Sequence, residues 1–124
     1  MTDEDKTLLE LAAKAAGIKY DPEASKPNPV SGAWFGLWLT YDREPTEYDR
    51  RRWNPLCDDG DALRLAVKLH LSVEIWAGSS LHKQGVTIVE HDDVAVEFPH
   101  ESDPYTATRR AIVRAAAEIG KTQQ

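Results

Sequence analysis

The stretch "RRWNPLCDDGDALRLAVKLHL", residues 51–71, decides how the rest of the chain is read. It places three aspartates, the only cysteine and a glycine directly ahead of an apolar run. A calcium loop would need acidic ligands at alternating positions, a glycine after the third and a distant glutamate. "DDGDALRLAVKL" has no such register. Helix-start chemistry accounts for it instead. With Asp58 as the N-cap, Asp61 falls at the third helical position, a carboxylate variant of the capping box, and Asp59 adds charge where the helix dipole favours it. Asn54 and Pro55 turn the chain and hold the entry extended. Cys57 is expected to pack against Ala62 as a small apolar filler. The carboxylates beside it oppose an activated thiolate. Capping leaves Gly60 unexplained. Glycine costs about 1 kcal/mol against alanine inside a helix, so a close approach to the backbone is expected there.

The helix that follows is unusually apolar. From Ala62 to Leu69 only Arg64 and Lys68 are polar, and they share one narrow stripe. Such a helix is expected either to be buried on more than one side or to form an interface, for example with a second copy of the chain.

Outward from this centre, "TDEDKTLLELAAKAAG" (residues 2–17) predicts a helix capped by Thr2, with Leu8, Leu11, Ala12 and Ala15 on one face and Gly17 as the left-handed stop. Residues 19–31, with three prolines, predict a long loop. "GAWFGLWLTY" (residues 32–41) reads as a central strand, with core positions for Trp34 and Trp38. A second loop spans 42–57. "LSVEIWA" (71–77), "GVTIVEH" (85–91) and "DVAVEFP" (93–99) read as strands; residues 78–83 connect the first two, and a tight turn joins the last two. The last helix is expected to start with Asp103 as N-cap and Pro104 at its first position, and to end at Gly120. Tyr105, Ile112, Ala116 and Ile119 would share its buried face. Arg109, Arg110 and Arg114 would look outward. The class is α+β: three helices and a roughly four-stranded, mostly antiparallel sheet, with helices on both sheet faces.

A chain of 124 residues suits one domain, residues 1–124, and 41% hydrophobic content is enough for a core. The formal charge of -6 disfavours nucleic acid as a partner. A single cysteine, an acidic N-terminus and the lack of a long apolar run fit a cytoplasmic protein without a membrane segment. His70, His82, His91 and His100 are scattered without paired zinc spacing. There is no glycine-rich phosphate loop and no locally supported Ser-His-Asp pattern. Neither catalytic residues nor a metal or other cofactor are therefore expected. Two binding candidates remain. Arg50, Arg51 and Arg52 beside Trp53, together with Arg109, Arg110 and Arg114, suit a small anionic ligand, a nucleotide or an acidic partner. Trp76, on the polar face of its strand, suits an interface.

"LLELAAKAAG" (8–17), "WNPLCDDGDALRLAVKL" (53–69) and "PYTATRRAIVRAAAEIG" (104–120), in this order, resemble a family of small tailed-phage and prophage proteins, the phage ABA sandwich domain. The resemblance covers nearly the whole chain. It implies a three-layer α-β-α sandwich and a phage accessory protein in the cytoplasm of a bacterial host. No catalytic residues come with it. The leading expectation is a non-enzymatic protein that binds a host or phage protein. The alternative is a small-molecule or nucleotide-sequestering protein that uses the arginines and tryptophans.

Overall fold

The computed structural model describes residues 2–78, 84–101 and 103–123. Residues 79–83 of the expected connection, His82 among them, lie outside the described residues. The elements run α1 (Asp3–Ala16), β1 (Leu37–Trp38), β2 (Arg52–Trp53), α2 (Asp59–Lys68), β3 (Ser72–Trp76), β4 (Val86–His91), β5 (Val94–Pro99) and α3 (Pro104–Thr122). This is an α+β fold with three helices and two antiparallel sheets, β1–β2 and β3–β4–β5.

Local chemistry sets the helix ends. Thr2 and Asp5 form a reciprocal capping box on α1. Gly17 closes that helix at φ 70°, and the Ile18 N–H bonds back to the Ala13 carbonyl at 2.9 Å. At the end of α2, His70 takes the corresponding left-handed position at φ 55°; its N–H bonds to Val67 and that of Leu71 to Ala66. This closing motif turns the chain sharply into β3.

The helix at the centre of the packing is α3. Ala107, Ala111, Ile112, Val113, Ala115, Ala116, Ala117 and Gly120 are all buried, so the apolar surface runs round most of the helix. One side packs on α1, another on β4 and β5, and a third on α2. Near its end, a Cβ on Gly120 would overlap the backbone carbonyl of Leu11. Glycine is therefore present to let two helix backbones approach closely, and it does not stop α3, which continues to Thr122. From the sheet, the fully buried Thr87 reaches Thr108 of α3 and His100, each at 2.8 Å.

Several expectations are corrected here. Residues 32–41 do not form a long central strand: Leu37 and Trp38 pair with Trp53 and Arg52, and Leu39 adds an isolated bridge to Tyr20. Gly36, at φ 114°, lies so close to the Trp53 carbonyl that a Cβ would sit 2.5 Å from it, and the chain ahead of β1 is irregular. The proline-rich loop is tied to this ribbon through Ser25. That buried hydroxyl accepts from the Trp38 N–H at 2.8 Å, and the Ser25 carbonyl accepts from the Trp34 indole. The expected single sheet of about four strands is a ribbon plus a three-stranded sheet. Helices were expected on both of its faces. In the structure α3 covers one face, and α1 lies against α3. On the other face Ser72, Glu74, Trp76, Glu90, Ala95, Glu97 and Pro99 are exposed. The side chains explain this: Val73, Val89, Val94, Val96 and Phe98 supply one apolar face, whereas the opposite positions carry three glutamates.

Candidate interaction surface

The aspartates of residues 58–61 hold the fold together. Asp58 caps α2 by accepting from the Asp61 N–H at 2.8 Å. Asp61, buried, does not complete the expected box. Its carboxylate accepts from the Asn54 N–H at 3.0 Å and thereby fixes the turn at Asn54 and the fully buried Pro55. Three arginines converge on this group. Arg50 meets Asp58 at 3.1 Å and Asp61 at 3.4 Å, Arg64 meets Asp61 at 2.9 Å, and Arg109 meets Asp59 at 2.5 Å. The cap hydrogen bond from the Asp61 N–H and the Arg50 guanidinium hold the Asp58 carboxyl below its ordinary pKa. The guanidinium of Arg64 also fills the space over Gly60, 3.0 Å from where a Cβ would stand. That is the close approach expected there, and it comes from the helix's own side chain. Cys57 is exposed and not a buried filler; Asn54, Pro55 and Leu56 are buried at this entry.

The arginines of α3 do not form an outward cationic face. Arg109 is largely buried. Its Nε donates to the Leu56 carbonyl at 2.9 Å and its other nitrogens reach Asp59 and Thr106. Arg110 pairs with Asp5 of α1 at 3.0 Å. Burial of the Asp5 carboxyl raises its pKa, but the hydrogen bonds from Arg110 and from Thr2 outweigh that and leave it lowered. Arg114 lies 3.9 Å from Glu4 and 4.0 Å from Glu118. In the upstream run, Arg51 is exposed, Arg52 lies over the Phe35 ring at 5.0 Å, and Trp53 is buried in the core. Trp53 is therefore not available to stack on a ligand. An anion at Arg50, Arg109, Arg110 or Arg114 would compete with carboxylates already in place.

The structure brings a different set of side chains together. Five large apolar residues stay exposed around α2, β3 and the start of α3: Leu63 (64%), Val67 (65%), Ile75 (64%), Trp76 (57%) and Tyr105 (68%). Leu63, Ile75 and Tyr105 border a groove of about 560 Å³ whose walls also include Ala62, Ala66, Val73, Thr108 and Ile112. Its two charged residues, Asp59 and Arg109, neutralise each other. Tyr105, expected on the buried face of its helix, is outside. Of these residues the sequence singled out only Trp76 and the wide apolar face of the 62–69 helix. Ile75 and Tyr105 join them from β3 and α3, an arrangement that periodicity within one element does not reveal. Among the described residues no three His, Cys, Asp or Glu side chains are grouped to hold a metal ion, and no helix is long and apolar enough to cross a membrane.

No protein-family model, curated protein or solved structure matches this chain.

Proposed function

We propose that this chain is a non-enzymatic protein-binding module, an accessory protein of a bacteriophage that acts in the host cytoplasm by engaging a host or phage protein and so inhibiting or redirecting it. The phage assignment, and with it an α-β-α sandwich ancestry, rests on the resemblance of the three motifs. The binding assignment rests on the groove between α2 and β3. Surfaces of monomeric domains seldom expose a contiguous apolar patch larger than a few hundred Å², and larger patches mark interaction sites. Leu63, Ile75 and Tyr105 line this groove and are each about two-thirds exposed, Val67 is exposed on α2, and Trp76 stands exposed on the opposite face of β3. Tryptophan and tyrosine are the residue types that most often dominate binding energy at such places.

The alternative, sequestration of an anionic small molecule or nucleotide, has less support, because Arg50, Arg109 and Arg110 are paired with carboxylates of the chain and Trp53 is in the core. Affinity capture from host lysate, with the tagged chain and its Leu63→Glu/Val67→Glu variant in parallel, tests the proposal. A species retained by the parent and lost from the folded variant is the expected result. Equal retention by both, or retention of nothing, would contradict it.

A further inference from the structure

We infer that the groove accepts an extended segment of the partner as a fourth strand on β3, with apolar residues alternating with lysine or arginine. This inference rests on the reading of the groove as a protein-binding site. The strand order is β3–β4–β5, so among the described residues β3 has a strand neighbour on one side only. Its other edge presents the backbone N–H and C=O groups that an incoming strand can pair with.

Strands β4 and β5 pack on α3, while Leu63 and Val67 on the outer face of α2 stay exposed. The groove is walled by Val73 and Ile75 of β3 and by Ala62, Leu63 and Ala66 of α2, with Ile112 at its base. Side chains of a strand alternate between faces. Every second residue of an added strand would therefore point into an apolar groove, which defines the inward half of the recognised pattern.

The outward half follows from charge. Cross-strand pairing places Ser72, Glu74, Trp76, Val86, Ile88, Glu90, Ala95, Glu97 and Pro99 on the open sheet face. Three of these nine are glutamates and none is lysine or arginine. Glu74 stands on β3 itself, with Trp76 beside it, its indole donating to the Glu74 carboxylate at 3.3 Å. Residues of an added strand directly opposite this edge favour positive charge, which Trp76 can also receive on its ring face. A second copy of this chain is the poorer occupant, because it would bring another set of three glutamates to the same acidic face.

The test uses the full chain and short acetylated, amidated peptides of alternating valine and lysine, of alternating valine and glutamate, and the valine–lysine peptide with alternate amides N-methylated. The valine–lysine peptide is expected to bind and to shift the amide resonances of residues 72–76. The glutamate peptide should bind at least about tenfold more weakly at low salt, and N-methylation on the pairing edge should abolish binding. Glu74→Lys, an exposed change that leaves the core intact, should erase the preference for lysine. Equal affinity for both charge patterns, retained binding after N-methylation, or shifts elsewhere with none in β3 would overturn the inference. So would a dimer by sedimentation that Ile75→Lys dissolves, since the groove would then belong to a second copy. If none of the peptides binds while the Leu63-dependent capture persists, strand addition is wrong and the protein-binding reading stands; if both fail, both are wrong.

Discussion

Helices α2 and α3 are both apolar over much more than one stripe, and they use that surface in different ways. In α3 the buried residues are mostly alanines, with Gly120, and small side chains let α1, the sheet and α2 all approach the same helix. In α2 the buried residues are Asp61, Ala62, Leu65 and Ala66, while the large Leu63 and Val67 stand in solvent. The lesson concerns size as well as polarity. A broad apolar face made of small residues is a crossing surface inside the fold. The broad apolar face of α2 instead leaves its large residues uncovered.

The largest expected effect breaks the α3 side. Gly120→Leu forces the α1 and α3 backbones apart at Leu11, and a loss of about 3 kcal/mol or more is expected by chemical denaturation. Gly120→Ala should cost less, about 1–3 kcal/mol. On the α2 side, Asp61→Ala removes the buried acceptor of the Asn54 N–H and the partner of Arg50 and Arg64. An expected loss of about 2–3 kcal/mol would be read from the same denaturation curve. Acid should strain all three helices, because Asp5 lies in α1 and Asp58 and Asp103 cap α2 and α3. Asp5, Asp58 and Asp103 have carboxyl pKa values held below the ordinary aspartate value in the folded chain. A depressed folded pKa contributes stability in full above about pH 4, the unfolded value. That stability is lost as pH falls through the lowered values, so Tm should fall with acidification below pH 4 or so, and less steeply in Asp5→Asn. Leu63→Glu sharpens the comparison from the other side: stability should change by less than about 0.5 kcal/mol while partner capture is lost. The smallest effect is a gain. His70→Gly relieves a left-handed residue at the corner after α2 and should stabilise by about 0.5–1 kcal/mol.

The same contrast shows what was legible in the sequence. Signals carried by neighbouring residues were plain: the caps at Thr2, Asp58 and Asp103, the stop at Gly17, and the two-residue turn at Asp92 and Asp93 between β4 and β5. Features set by distant partners were not. Gly120 looks like a helix terminator because glycine ends helices so often, and only the approach of Leu11 shows that it marks a crossing. Arg109 and Arg110 look like solvent-facing charges until Asp59 and Asp5 arrive from other elements. The aromatic run at 32–41 has the composition of a central strand, but with Gly36 at φ 114° and the tie to Ser25 its pairing is confined to Leu37–Trp38 and one bridge from Leu39 to Tyr20. Of the candidate surface, the apolar breadth of α2 was visible in advance. Its meeting with Ile75 and Tyr105 depends on how β3 and α3 come together beside α2.

The central claim is that the outer face of α2 and the edge of β3 form the binding surface. Amide hydrogen exchange of the chain alone and of the chain with its captured partner tests this most directly. Slowed exchange confined to residues 59–68 and 72–76, with α1 unchanged, is the predicted result. Protection centred on Arg50–Arg52, with α2 and β3 unchanged, would contradict it.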